Sequence, residues 1–232
     1  ALPIYQGQNF SRLMNYAMYG PKSPATNLLT EAELASMNPQ ELVDRIHNQN
    51  NYKHRILYYG PSSSKDLLAT IDQYHQVPAT LKDIPAGNKF SYLETPATKV
   101  LVAPYEAKQI YMAQISNLDK KYDPAIEPTR ELYNEYFGGG MNSIVFQEMR
   151  ETRGLAYSTW AGIMPPSYLK YPYTIRTQIA TQNDKMIDAV NTFNDIINNM
   201  PESEAAFKLA KEGLINRMRT DRIIKSDIIW TY

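Results

Sequence analysis

The chain has 232 residues, 43% of them hydrophobic and 21% charged, and its 24 Lys+Arg against 24 Asp+Glu give a formal net charge of zero. That size allows one large core or two modest ones, while the charge balance supplies no global field toward nucleic acid or an anionic membrane. The lack of cysteine excludes disulfides, thiolate zinc sites and cysteine nucleophiles, and no apolar run approaches the roughly 20 residues of a membrane span.

The opening stretch, ALPIYQGQNFSR, lacks the basic and then apolar pattern of a signal peptide, so any targeting segment is expected outside these residues. Between Asn9 and Tyr19 the apolar residues Phe10, Leu13, Met14, Ala17 and Met18 form a helical stripe, ended by Gly20. Thr30 followed by Glu33 reads as a capping box, and Pro39 suits the first turn of a helix through Leu42, Val43 and Ile46. His54 to Tyr59, HRILYY, is aromatic and β-branched and closes at Gly60 and Pro61, which predicts a strand. Ser62 to Ser64 then cap a helix through Leu67, Leu68, Ile71 and Tyr74.

From Val77 to Pro104 the periodicity weakens and prolines accumulate, so Pro78 to Pro96 reads as a linker. The expected division is residues 1–80, a linker over 81–98, and residues 99–232. Lys99 to Ala103 and Gln109 to Ile115 read as strands, and Glu127 to Phe137 as a helix entered through Pro128. The glycines at 138–140 stop it, serving as a helix end that lets backbones approach closely. Asn142 or Ser143 begins the next helix, with apolar residues Ile144, Val145, Phe146 and Met149, and Gly154 ends it. Leu155 to Met164 and Tyr171 to Ala180 follow as strands joined around Pro165 and Pro166, and then Lys185 to Asn199 and Ser203 to Ile224 as helices. Adjacent strands without a crossover helix favour antiparallel pairing, so the pattern predicts an α+β sandwich and not a doubly wound parallel sheet. Eighteen tyrosines against six phenylalanines suit half-buried sheet surfaces or peptide-binding faces.

Three histidines, His47, His54 and His75, include no pair at the i, i+4 spacing of an HEXXH or HXXEH zinc helix, and each is read as structural or surface. There is no GXSXG elbow, and the glycine tract lacks the Lys and Ser/Thr of a phosphate loop. Glu148 and Glu151, at i, i+3, fit a solvated helix face. Arg150 and Tyr157 stand apart, because a turn at Gly154 would fold the strand back against the helix end and bring a guanidinium and a phenol toward one point. Those donors suit a substrate carbonyl or a developing oxyanion. From spacing alone both readings stay open: Arg150 pairing with Glu151 and Tyr157 packing, or both reaching a ligand.

GGGMNSIVFQEMRETRGLAYSTWAG resembles the signature of the M16 metallopeptidases, the clan of pitrilysin, insulysin and the mitochondrial processing peptidase. The order NLLTEAELASMNPQELVDRI, HRILYYGP and a following helix resembles the closing section of the preceding domain in that family. The resemblance implies the LuxS/MPP-like metallohydrolase fold, with residues 1–80 closing one M16-like domain and 99–232 forming most of the next. It also implies a peptidase of two halves, with zinc held by HXXEH in one and an Arg and a Tyr of the other contacting substrate. Arg150 and Tyr157 match those two residues and would polarise the scissile carbonyl or stabilise the tetrahedral intermediate.

Without HXXEH the chain itself is not expected to bind a cofactor or act alone as an enzyme; zinc is expected in a partner half, on the same polypeptide or a separate chain. The expected role is the non-catalytic, peptide-binding part of a zinc metalloendopeptidase, with a catalytically inert assembly subunit as the alternative. A peptide substrate is expected, and neither nucleic acid nor a membrane. Because SDIIWTY stops in an apolar stretch, the chain reads as an excised piece, for which self-association is expected.

Overall fold

A computed structural model describes residues 5–222, 224 and 227–231. The helix expected to run to Ile224 ends instead at Thr220, with Asp221, Arg222 and Ile224 outside any helix and Ile223 outside the described set, and the apolar run from Ser226 to Tyr232 begins and ends on residues that also lie outside that set. In chain order the elements are α1 (Gln6–Tyr19), α2 (Glu31–Ser36), α3 (Pro39–Asn48), α4 (Ser64–Tyr74), β1 (Gln109–Lys121), α5 (Glu127–Phe137), α6 (Ile144–Phe146) running into a π-helical turn (Gln147–Thr152), β2 (Ser158–Met164), β3 (Pro172–Gln182), α7 (Met186–Asn198), α8 (Glu204–Thr220) and α9 (Ile228–Thr231). The chain clusters into two units: Ala1–Asn27 with Phe90–Thr220, and Leu28–Lys89 with Asp221–Tyr232.

The first unit holds a three-stranded antiparallel sheet in the order β1-β3-β2. Met112, Ile179 and Thr159 are aligned across the three strands, and the period of two puts the residues flanking them on the opposite face. One face carries the core, in which Phe137 of α5, Val145 of α6, Met149 of the π turn and Phe193 of α7 surround Ile179 and Ala161. On the other face α1 lies near β1, with Phe10 edge-on to Tyr111 at 5.6 Å and the Gln6 side-chain amide donating to the Gln109 carbonyl at 2.6 Å. The expected antiparallel α+β architecture is the one observed. Much of the tyrosine excess is structural: Tyr19 packs against Tyr92, and burial together with a hydrogen bond to Tyr92 pushes the Tyr19 hydroxyl up to about 12.

β2 is an edge strand, yet Ile163 does not present a free edge. The Asn134 side chain of α5 donates to the Ile163 carbonyl at 2.9 Å and accepts from its N–H at 2.8 Å, so one amide replaces a neighbouring strand. Arg130 adds a bond to the same carbonyl at 3.2 Å. Asn134→Ala is expected to destabilise this unit by about 1–3 kcal/mol, because a half-buried N–H loses its acceptor; urea unfolding of the two proteins measures it. Gly138, at the end of α5, packs even closer to β2. A Cβ there would lie 2.4 Å from the Ala161 carbonyl oxygen, so the reading of the glycine tract as a close-approach point holds at this residue.

At the other end of α5, Glu127 accepts from Arg130 Nε at 2.9 Å and from the buried Tyr173 hydroxyl at 2.6 Å. The Arg130 hydrogen bond holds the Glu127 carboxyl below the usual glutamate range, while burial and then the Glu127 bond push the Tyr173 hydroxyl up. With a folded-state value below the unfolded one, the Glu127 contribution is complete above the ordinary glutamate range and is lost as pH falls through the folded value. Glu127→Gln is therefore expected to flatten the acid limb of the stability profile while leaving its neutral and alkaline parts parallel to those of the parent; thermal unfolding from pH 3 to 8 reads this directly.

The second unit has well-capped helices and little interior. Thr30 accepts from the Glu33 N–H and Glu33 reaches back to the Thr30 N–H, as the capping box predicts; Asn38 caps α3 and Ser63 caps α4. None of α2, α3 or α4 buries a residue. The strand expected over His54 to Tyr59 is absent, and Ile56, Leu57, Tyr58 and Tyr59 are exposed. Strand propensity needs a partner ladder to act on, and the only pairing among the described residues nearby is a parallel bridge between Tyr52 and Lys82. Lys99 to Ala103 fails for the same reason, with Val100 and Val102 exposed. β1 instead runs on past Ile115 to Lys121, because β3 pairs with it as far as Pro172.

Candidate functional site

The segment from α5 to β2 is built by local chemistry. Ser143 accepts from the Phe146 N–H and starts α6, which after one turn widens into the π-helical Gln147–Thr152. Such turns carry an extra residue per turn and recur at functional sites. Gly154 then takes φ +57°, the left-handed conformation that a glycine adopts without steric cost, and reverses the chain. The Leu155 and Ala156 N–H groups both donate to the Met149 carbonyl, at 2.8 and 3.2 Å. This delays strand pairing, so β2 begins at Ser158 and not at Leu155. The Tyr157 N–H donates to the Ala180 carbonyl at 2.8 Å and fixes that backbone to β3.

Arg150 follows fully buried Met149 on the π turn and its own side chain is half exposed. Its guanidinium lies over the Phe146 ring at 5.1 Å, and its Nε is 3.8 Å from the Glu151 carboxylate. At that distance and exposure the ion pair contributes little, so the guanidinium is cheaply redirected. Tyr157 is 73% exposed. It stands at a cleft of about 480 Å³ on the face of the sheet next to α1, together with Ser158, Gln178, Tyr111, Phe10 and Met14. Arg150 is not among the residues lining that cleft. The turn thus brings the two backbones together through Met149, whereas the described contacts of the two side chains lead to different neighbours.

The turn has supports that local pattern does not reveal. Thr181 donates to the Leu155 carbonyl at 2.6 Å and Lys185 to the Gly154 carbonyl at 3.1 Å. Arg153 reaches Thr192 of α7 at 3.4 Å and Glu148 at 3.5 Å. These residues lie far along the chain from the turn, or act through side chains with no motif of their own; their only signal in the sequence is the pairing of β3 beside β2.

A donor set of this kind, one guanidinium and one phenol on a rigid turn beside a sheet edge and an open cleft, can grip carbonyl oxygens of an extended chain. Catalytic zinc sites take three protein ligands, and among the described residues no group of three or more His, Cys, Asp or Glu is placed to hold an ion.

The family model described as the peptidase M16 inactive domain matches residues 55–214. No curated protein matches the chain in sequence. Among solved structures, the peptidase M16 inactive domain from Pseudomonas fluorescens aligns at a TM-score of 0.60 and 19% identity, over 98% of this chain and 54% of that one. A conserved protein from Enterococcus faecalis aligns at 0.58 and 18%, over 93% and 51%. The ferredoxin protease FusC, in a mutant form and in complex with Arabidopsis ferredoxin, aligns at 0.63 and 13%, over 98% and 25%. The chain therefore spans about half the length of the first two and a quarter of the third.

Proposed function

The chain belongs to the peptidase M16 inactive-domain family, and from that premise we propose that it is the substrate-gripping, non-catalytic part of a two-half zinc peptidase. Zinc would belong to the other half, on the same polypeptide or on a separate chain, since the three histidines of this sequence form no HXXEH pair. Arg150 and Tyr157 act on the substrate alone. The observation that carries the reading is the exposed Tyr157 phenol on a backbone pinned to β3, beside an open cleft.

The ligand is an extended peptide. A phenol and a guanidinium donate to its carbonyl oxygens and favour the form in which one of them gains negative charge. Strand addition at an exposed sheet edge would align the remainder, and Ile163 is excluded from that pairing because Asn134 already uses both of its backbone groups. A structurally similar protease in complex with a protein supports a polypeptide ligand.

The test compares hydrolysis of a peptide by the assembled two-half protein with that by its Arg150→Ala and Tyr157→Phe variants. A second reading, a catalytically inert assembly subunit, draws on one observation: the Arg150 side chain is directed to Phe146 and Glu151 and not into the cleft. Unchanged kinetics in both variants would favour that reading.

A further inference from the structure

His54 and His75 are 21 positions apart, and the fold brings their Nε2 atoms to 2.7 Å with the rings at 86° to each other. Both backbones are fixed. The Lys53 N–H donates to the Lys82 carbonyl and the Lys82 N–H to the Asn51 carbonyl, each at 2.8 Å, which anchors the residue before His54. His75 caps α4, its N–H on the Ile71 carbonyl at 2.7 Å. The second ring nitrogen of His54, Nδ1, lies 2.6 Å from the Tyr52 carbonyl oxygen. A carbonyl only accepts, so Nδ1 carries the proton, and Nε2 of the neutral ring presents its lone pair toward His75. A ring N–H tied to a backbone carbonyl is the arrangement that orients metal-bound imidazoles and sets their tautomer.

We propose that His54 and His75 form a two-histidine site for a divalent transition-metal ion of tetragonal preference, Cu2+ foremost. Distance selects among metals. Two nitrogens each about 2.0 Å from an ion lie roughly 2.8 Å apart at the right angle of a tetragonal site and roughly 3.3 Å apart at the tetrahedral angle of zinc. The observed 2.7 Å lies nearer the first and is equally the length of a hydrogen bond between neutral rings. Imidazole is a favoured ligand for copper, and Cu2+ stands highest in the affinity order of the first-row divalent ions. His54 is exposed and His75 half-buried, so an ion enters from solvent and keeps water in its other positions. The competing arrangement is a neutral hydrogen-bonded pair in which His75 Nε2–H donates to His54 and no ion is held. The two histidines belong to segments separated by a helix, which is why no short spacing announces them.

The experiment is a Cu2+ titration of the chain followed by electron paramagnetic resonance and calorimetry, repeated on His54→Ala, His75→Ala and, as a control, His47→Ala. One equivalent is expected to bind tightly, with two equatorial nitrogen ligands in its spectrum. Losing either His54 or His75 is expected to weaken that equivalent roughly 100-fold, since the second nitrogen is delivered at high effective concentration, and His47→Ala leaves it unchanged. Circular dichroism confirms that each variant keeps the helices. If the parent binds no tighter than His54→Ala and His75→Ala, the pair is only a hydrogen bond and the proposal is overturned; equal loss in His47→Ala also overturns it.

Discussion

Tyr157→Phe in the assembled two-half protein is expected to lower kcat about 100- to 1,000-fold with little change in KM. Only a hydroxyl is removed, from a side chain that is 73% exposed, so the fold does not report on the change. A donor that meets charge as it develops acts in the transition state alone, and deleting one such donor costs about 100- to 1,000-fold in kcat. Arg150→Ala is expected to act differently. A guanidinium already binds the ground-state carbonyl through a charge-assisted hydrogen bond of about 1.5–3 kcal/mol, so KM rises as well and kcat/KM falls about 10- to 100-fold. Initial-rate measurements over a range of peptide concentrations separate the two effects. The assignment fails if both variants stay within about twofold of the parent in kcat and in KM.

Met149→Ala is expected to cost about 2–5 kcal/mol, the range for truncating a fully buried methionine. Met149 is completely buried in the core beneath the turn, and its carbonyl receives the Leu155 and Ala156 N–H groups. The cavity would open under the very residues that set where β2 begins, so the loss of fold and the misplacement of Tyr157 share one cause. Met149→Leu, close in volume, is expected to cost less than about 1.5 kcal/mol. Urea unfolding of the three proteins decides between them, and a cost below about 1 kcal/mol for alanine would show that the turn is held by its hydrogen bonds and not by this side chain.

What the sequence revealed in advance was local chemistry. The capping box at Thr30 and Glu33, the caps at Ser63 and Ser143, Pro39 at the head of a helix, and the stops at Gly20 and Gly154 all depend on side chains within a few residues of the backbone they satisfy, and they are found as predicted. The antiparallel sheet followed from the lack of a crossover helix between β2 and β3. Features that depend on distant partners stayed hidden. HRILYY has the composition of a strand but no neighbouring strand to pair with among the described residues, and the Asn134 clamp on Ile163 joins a helix interior to a strand 29 positions away. The widening of α6 into a π turn also left no trace, since its apolar residues fit a regular helix equally well. Arg150 and Tyr157 entered the candidate site through the family resemblance, whereas Thr181, Lys185 and Arg153, which hold the turn, required the sheet to be formed first.

A π turn is a helix carrying one residue more than a regular ladder needs. Deleting an exposed residue of Gln147–Thr152, such as Gln147, would let the ladder close as an ordinary α-helix, leaving the sheet able to form. The residues flanking the window would keep their faces, because five residues at about 100° each turn about as far as six in the wider π turn, and only side chains within the window would shift around the helix axis. The segment therefore acts as a length gauge: its count of residues, as much as their identity, sets which way Arg150 faces relative to Tyr157. Among related chains, a missing residue in this six-residue window would mark loss of the proposed grip even where the arginine and the tyrosine are both kept.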